Sequence, residues 1–362
     1  MRQESFAGGS IKYPDRVVFV NNPNYIVLGR LIAVGDNCSI TFRNPRIGKI
    51  ITINASLIGR YKDASVYISK FLQLLLEGRS EKIYAEVNVD GYPYPFSIEM
   101  LCIDGSLSFG ERFGQIGSFA YDQEEGYFVR RLRWFKNLPF EVSIFADNYN
   151  TGLSYRYDNN GYSEANTLNE GFNDIDPKLF AGNANRFAVL KITPDGDGLG
   201  DSTFDSTYDA SFRKLLDSVS IIRLNVDLST DGHYFRWIDP MGQLQYFLFI
   251  KGTEQTKVTD SDYYEEAVES NGMYFGVVKR TLEKTRTREL KCCAVNLTKY
   301  EQDYVKTIVS SINCELYLGK NGGSDVWMPV NVKAGSFSIS EQENLQDFEI
   351  VAELPISQTQ TR

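Results

Sequence analysis

Short runs that alternate apolar with polar residues dominate the chain. Arg16–Val20, Tyr25–Leu28, Ile50–Ile53, Tyr84–Val89, Phe140–Phe145 and Ser220–Val226 are rich in β-branched and aromatic residues. A period of two turns one face of such a run to a core and the other to water, so each is read as a strand. Turn-forming residues fall between the runs, at Asn22-Pro23, Asp90-Gly91, Asp104-Gly105, Asn160-Gly161, Asp231-Gly232 and Asn321-Gly-Gly323. Only three segments carry a helical period. They are Tyr61 to Glu77, with Val66, Phe71, Leu74 and Leu75 on one face; Tyr208 to Val219, with Phe212, Leu215 and Leu216; and Lys299 to Ile312, with Tyr304, Val305, Ile308 and Val309.

Each helix is followed by a strand, a turn and a second strand. The hairpins expected are Ile83–Val89 with Tyr94–Leu101, Ile221–Leu228 with Tyr234–Ile238, and Cys314–Leu318 with Trp327–Val332. The first and third copies agree further. An apolar strand ending in Asn precedes each helix (Ile51-Thr-Ile-Asn54, Ala294-Val-Asn296), and a Gly-Ser-apolar-Ser stretch follows each hairpin (Asp104–Ser108, Ala334–Ser338). This pattern predicts a tandem duplication of a β-rich unit. The expected fold class is therefore mainly β, a β-rich α+β arrangement of tandem sandwich- or barrel-like units, each with one short helix. An N-terminal unit is expected over residues 1–120, a central β segment over 121–232, and a C-terminal unit repeating the first over 233–362. Tyr149 to Asn185, rich in Asn, Asp, Gly and Tyr, reads as an irregular central insertion.

Composition narrows the chemistry. The chain has 362 residues and a single histidine, His233. That excludes a multi-histidine zinc site or a two-histidine iron site, and leaves a serine triad only this one residue to draw on. His233 follows a turn with no identifiable carboxylate to orient it, so a structural role is expected and no enzyme is inferred. A net charge of −9 argues against nucleic-acid binding over a broad basic face. The five cysteines, Cys38, Cys102, Cys292, Cys293 and Cys314, are odd in number and form no CxxC, so reduced buried thiols are expected. No apolar h-region occupies the N-terminal residues and no apolar run is long enough to span a bilayer. Neither a signal peptide nor membrane insertion is expected.

The sharpest local motif is Pro194-Asp-Gly-Asp-Gly-Leu-Gly-Asp201. Asp195, Asp197 and Asp201, with the Leu199 carbonyl, are spaced like ligands of a calcium loop, and the stretch resembles the loops of thrombospondin type-3 repeats and EF-hand relatives. Thr193 stands where the first Asp belongs and Phe204 where the bidentate Glu belongs, which leaves a weak calcium loop or, preferably, an acidic hairpin tip with no cofactor. Arg130-Arg-Leu-Arg-Trp134 alternates on a strand, with Arg131 and Arg133 on one face and Leu132 and Trp134 on the other; a salt-bridged strand at a subunit contact is preferred over a phosphate site. Lys279 to Glu289 has the charged look of an edge strand. Tyr149, Tyr155, Tyr157 and Tyr162 could stack on sugars if exposed.

Several stretches resemble a known family. Gly232-His-Tyr-Phe-Arg-Trp-Ile-Asp239 with Gly242 and Tyr246-Phe-Leu-Phe249, Tyr304–Ser311, Val326–Val332, Phe348–Glu353 and Trp134–Pro139 are similar to segments of tail or baseplate structural proteins of Bacteroidetes phages and prophages. The resemblance implies a non-enzymatic virion protein, similar in role to distal tail proteins. It implies a homo-oligomeric ring in the phage tail, with other tail proteins as partners and assembly in the bacterial cytoplasm. It transfers no catalytic residue. The alternative is a host-surface carbohydrate-binding adhesin.

Overall fold

The computed structural model describes residues 1–32, 34–106, 122–124, 127–146, 152–158, 160, 163–164, 168–193, 221–270, 272–333 and 345–361. The chain is mainly β, as the alternating pattern predicts. It divides into two compact units. One comprises Met1–Lys136, Phe140–Leu228 and Ile238–Gln245; the other comprises Asn137–Pro139, Ser229–Trp237 and Tyr246–Arg362.

The first unit opens with strands β1 (Arg2–Phe6), β2 (Gly9–Tyr13), β3 (Val17–Phe19), β4 (Tyr25–Gly29), β5 (Asn37–Asn44), β6 (Lys49–Ser56) and β7 (Ala64–Tyr67), then helix α1 (Ser69–Leu75), β8 (Ser80–Val89) and β9 (Phe96–Ile103). One sheet has the order β1-β2-β4-β7 and the other β3-β9-β8-β5-β6. Their apolar faces share one core. Ile11, Ile26 and Leu28 come from the first sheet, Ile40, Phe42, Ile83 and Met100 from the second, and Leu72 and Leu75 from α1. In β5 the alternation is plain: Cys38, Ile40, Phe42 and Asn44 are buried and their neighbours are not. Asn44 is the polar member, and it has partners. Its amide donates to the Leu75 carbonyl at 2.7 Å and to the Glu81 carboxylate, which also accepts from Arg46 and from the Gly78 backbone at 3.0 Å. Burial alone would raise the Glu81 pKa, but the Arg46 and Asn44 hydrogen bonds outweigh it and hold the carboxyl below its ordinary value.

The helix expected over Tyr61 to Glu77 is shorter than its apolar period. Ala64–Tyr67 is strand β7, paired antiparallel with Tyr25–Leu28 of β4, and only Ser69–Leu75 is helical. Leu75 is buried as expected, but Leu74 is exposed. The helix start is fixed from a distance: the Ser69 hydroxyl accepts from the Asn24 backbone at 2.9 Å and donates to the Asn22 carbonyl.

The rest of the first unit contains β10 (Asp122–Glu124), β11 (Tyr127–Phe135), β12 (Val142–Ala146), β13 (Gly152–Tyr157), β14 (Ser163–Glu164), β15 (Gly171–Ile175), α2 (Lys178–Ala181), β16 (Phe187–Thr193) and β17 (Ile221–Asp227). A six-stranded sheet runs β10-β11-β17-β16-β13-β14, and β12 pairs with β15. The stretch read as an irregular insertion thus contributes short strands and a helical turn among its described residues. The expected helix Tyr208 to Val219 lies outside the described residues. The hairpin expected after it does not form: β17 pairs with β11 and β16, in a different sheet from the strand over Tyr234–Ile238.

The second unit is built from β18 (His233–Ile238), β19 (Leu244–Ser270), β20 (Met273–Thr298), α3 (Lys299–Val305) with a 3-10 turn (Lys306–Ser310), β21 (Cys314–Asn321), β22 (Ser324–Val332), β23 (Leu345–Glu353) and β24 (Ser357–Thr361). The strand order β19-β18-β21-β22-β23-β20 closes on itself, because β19 also pairs with β20. This is a six-stranded barrel, an arrangement that leaves its own wall without an open edge. Phe235, Trp237, Phe247, Phe249, Cys292 and Ala294 fill it, with Tyr304, Val305 and Ile308 from the helical segment. That segment begins at a capping box: the Thr298 hydroxyl accepts from the Glu301 backbone and the Glu301 carboxylate accepts from the Thr298 backbone at 2.9 Å.

Candidate functional site

β19 and β20 are far longer than the barrel wall requires. They have 27 and 26 residues, and their antiparallel ladder runs from Ile250 opposite Cys293 to Ser270 opposite Met273, with bulges on the way. The base of the hairpin belongs to the barrel. Farther out, β20 is covered on its second side by β23 across Glu289–Thr298 and by β24 across Glu283–Arg286. From Asp262 to Ser270 and from Met273 to Leu282 the described ladder has two strands only. At about 3.4 Å per residue this outer part is roughly 30 Å long.

The hairpin therefore forms an arm. On β19, every residue from Ile250 to Asp260 is exposed, although Cys292 and Leu290, opposite Lys251 and Glu254 on β20, are buried. Apolar side chains remain in the open on it, among them Val258, Tyr263, Met273, Val277 and Val278. The charges are divided by strand. Glu254, Asp260, Asp262, Glu265, Glu266 and Glu269 lie on β19 against Lys251 and Lys257, whereas Lys279, Arg280, Lys284, Arg286, Arg288 and Lys291 lie on β20 against Glu283 and Glu289. Cross-strand ion pairs link the two: Arg288 to Glu254 at 2.6 Å, Lys284 to Asp260 at 3.8 Å, Lys279 to Glu265 at 4.0 Å, and Arg280 to Glu266. The Lys279 ammonium also lies 4.4 Å from the centre of the Tyr263 ring. Exposed pairs of this kind each contribute about 0–1 kcal/mol. The charged stretch Lys279 to Glu289 is thus an edge only in its first part; from Glu283 on it is interior to a ladder.

The segment with the clearest family resemblance, residues 232–239, lies along β18 in the barrel wall, and its side chains are used for packing. Tyr234 stacks on Tyr246 with centroids 6.0 Å apart, beside Tyr317 and Trp327, and its hydroxyl donates to the Pro139 carbonyl at 2.8 Å. Arg236 lies 4.2 Å over the Trp327 ring and pairs with Glu315. Gly232 approaches the Phe249 carbonyl so closely that a Cβ would fall 2.4 Å from it. His233 is half-buried. Burial and the Lys251 ammonium lower its pKa below the ordinary 6.5, against a smaller opposing pull from Glu254.

The other residues singled out in the sequence are scattered. Asp195, Asp197 and Asp201 lie outside the described residues; among those described, no group of three His, Cys, Asp or Glu side chains could hold a metal ion. Tyr155 packs on Phe180 at 4.7 Å, and Tyr149 and Tyr162 lie outside the described residues. All five cysteines are free thiols, and all but Cys293 are buried. No helix among the described residues is long and apolar enough to cross a membrane. Leu132 and Trp134 are buried as their alternation predicts, and so is Arg130 on the same face. Its guanidinium donates to Gln245 at 3.0 Å, and the Gln245 amide donates to the buried Asp239 at 2.8 Å. Asp239 also accepts from the backbones of Met241 and Gln243, each at 2.9 Å. That chain of donors fixes a turn and engages the Arg130 guanidinium.

The sequence reading missed two further charged clusters, both in the first unit. Glu170 accepts from Arg16 at 2.6 Å and pairs with Lys82 at 2.9 Å. Arg79 donates to Ser143 at 2.9 Å and pairs with Asp174. The two partners in each of these contacts are more than 60 residues apart in sequence, and no local pattern marks them. They join strands of the unit.

No protein-family model matches the chain, and no curated protein matches it. Among solved structures, the calcium binding domain CBD12 of CALX1.1 is 12% identical, with 58% of this chain and 96% of that one covered at a TM-score of 0.20. A 1.5-MDa bacterial ice-binding adhesin, described for its retention at the host cell surface, is 11% identical, with 76% and 88% covered at a TM-score of 0.16. Superpositions this loose carry no argument about fold or function.

Proposed function

We propose that the chain is a non-enzymatic structural protein of a phage virion, which assembles through its β-domain surfaces into a homo-oligomeric ring in the tail or baseplate, in a tail hub or distal tail role. The observation that supports this best is the β19–β20 arm. A two-stranded ribbon with solvent on both faces is marginal in water by itself, and a strand edge left open is a template for another chain. Such an arm is economical in a protein whose neighbours cover it and a liability in one that works alone. Most of the family resemblance falls on residues that build the barrel behind the arm, in keeping with a scaffold role for that unit. Neighbouring copies and other tail proteins are the partners this reading requires.

Light scattering coupled to size exclusion, with electron microscopy of the peak, tests the reading. A discrete ring supports it, as does a monomer that joins rings when mixed with the tail-tube protein of its own phage. A monomer that binds purified capsular polysaccharide and never assembles would replace it with the adhesin reading.

A further inference from the structure

We infer that the arm joins one copy of this chain to the next by edge-to-edge strand pairing, with the acidic outer edge of β19 against the basic outer edge of β20 of a second copy. The inference rests on the ring assembly proposed above and names its contact.

Three observations lead to it. First, both strands have an open outer edge toward the tip of the hairpin. β19 has no strand on its outer side from Glu254 to Ser270 among the described residues, and β20 has none from Met273 to Leu282. Second, the charges are sorted. Near the tip, Glu265 and Glu266 flank the β19 edge, and Lys279 and Arg280 flank the β20 edge. One hairpin thus carries two edges of opposite sign. Third, the ribbon lacks a core. Tyr263, Val277 and Val278 stay exposed in the single copy, and extending the two-stranded ribbon into a wider sheet would cover part of them.

Symmetry turns these edges into a specific contact. In a cyclic ring all arms point the same way. The outgoing β19 of one copy then lies beside the returning β20 of the next. The two strands are antiparallel, which is the pairing that main-chain hydrogen bonding at a sheet edge favours. Arms at equal height bring Glu265 and Glu266 level with Lys279 and Arg280 of the neighbour, because these residues are already level within one hairpin. Acid meets base at every junction. The opposite arrangement, β19 beside β19, would set acid against acid and is disfavoured. The same two edges therefore select a head-to-tail contact, the kind that builds a ring when its rotation closes.

The test uses the full chain and two variants. Glu265→Lys/Glu266→Lys reverses one edge only, and should raise the dissociation constant of the oligomer about tenfold or more. It also breaks the pairs within the hairpin, so the second variant adds Lys279→Glu/Arg280→Glu. The fourfold swap restores those internal pairs and exchanges the signs of the two edges. It should assemble with itself as the wild type does, yet co-assemble with differently tagged wild type about tenfold below the statistical yield, since both mixed junctions set like against like. If the double variant assembles like the wild type, if the swap mixes freely with it, or if the swap folds but stays monomeric while the wild type assembles, the arm contact is overturned and the ring reading survives. A wild-type chain that is monomeric throughout overturns both.

Discussion

The indole Nε1 of Trp237 donates to the hydroxyl of Thr307 at 2.8 Å, and that hydroxyl in turn donates to the Tyr304 carbonyl at 2.6 Å. Trp237 is fully buried in the barrel wall, and Thr307 belongs to the 3-10 turn that follows α3. The bond ties the helical segment to β18. Thr307→Val keeps the shape and removes the acceptor, leaving a buried indole N–H unpaired. The expected cost is about 1–3 kcal/mol. It is read as a lower denaturant midpoint at unchanged slope, with a shift in tryptophan fluorescence. An unchanged midpoint would show that the bond contributes nothing.

The parts of this fold legible in the sequence are those where a strand has one buried face. β8 alternates cleanly, and the apolar period of Tyr304, Val305 and Ile308 marks the helical segment that begins at α3. What was not legible depends on distant partners. Ala64–Tyr67 has the same apolar residues as a helix start, and only its pairing with β4 makes it a strand. The arm escaped for the opposite reason. With no buried face, Lys251 to Asp260 has no alternation to read, and its strand character comes from pairing across the hairpin. Of the candidate site, the charge run from Lys279 was visible, but the sorting of acid to one strand and base to the other appears only when the two are laid side by side.

His233 gives a pH dependence whose sign follows from its surroundings. Burial and Lys251 lower its pKa, so the folded state favours the neutral ring more than the unfolded state does. Its contribution to stability is complete above the unfolded value near 6.5 and is lost as pH falls through the lower folded value. Chemical denaturation between pH 6.5 and 5, above the range of ordinary carboxylates, should show stability declining with acid. His233→Gln should flatten that decline and leave the oligomeric mass unchanged. A variant with the same slope as the wild type would place the titration elsewhere.

The thiols should be inert in the folded chain. Burial, then the nearby Cys293, pushes Cys292 up to about 12, and burial pushes Cys314 up to about 11. Thiolate is the reactive form, so at pH 8 a thiol reagent should modify the native protein slowly and first at half-buried Cys293, whereas unfolding should release all five. Rapid native labelling of two or more cysteines would show that the barrel opens readily.

Calcium is expected to have no effect. Thr193 and Phe204 replace two carboxylates that a calcium loop around Asp195, Asp197 and Asp201 would need. Differential scanning fluorimetry in millimolar calcium should leave the Tm where chelator leaves it. A rise of several degrees, abolished by Asp197→Asn, would establish a metal site in that loop.

The most direct test of the central claim is the mass of the wild-type chain in solution, measured by sedimentation velocity with light scattering over a wide concentration range. The account predicts one discrete species, at a whole-number multiple of 41.1 kDa for the chain alone, or at such a multiple plus the mass of bound tube protein once its tail-tube protein is added. A chain that remains at 41.1 kDa under both conditions, with its arm protected from neither protease nor hydrogen exchange, would contradict it.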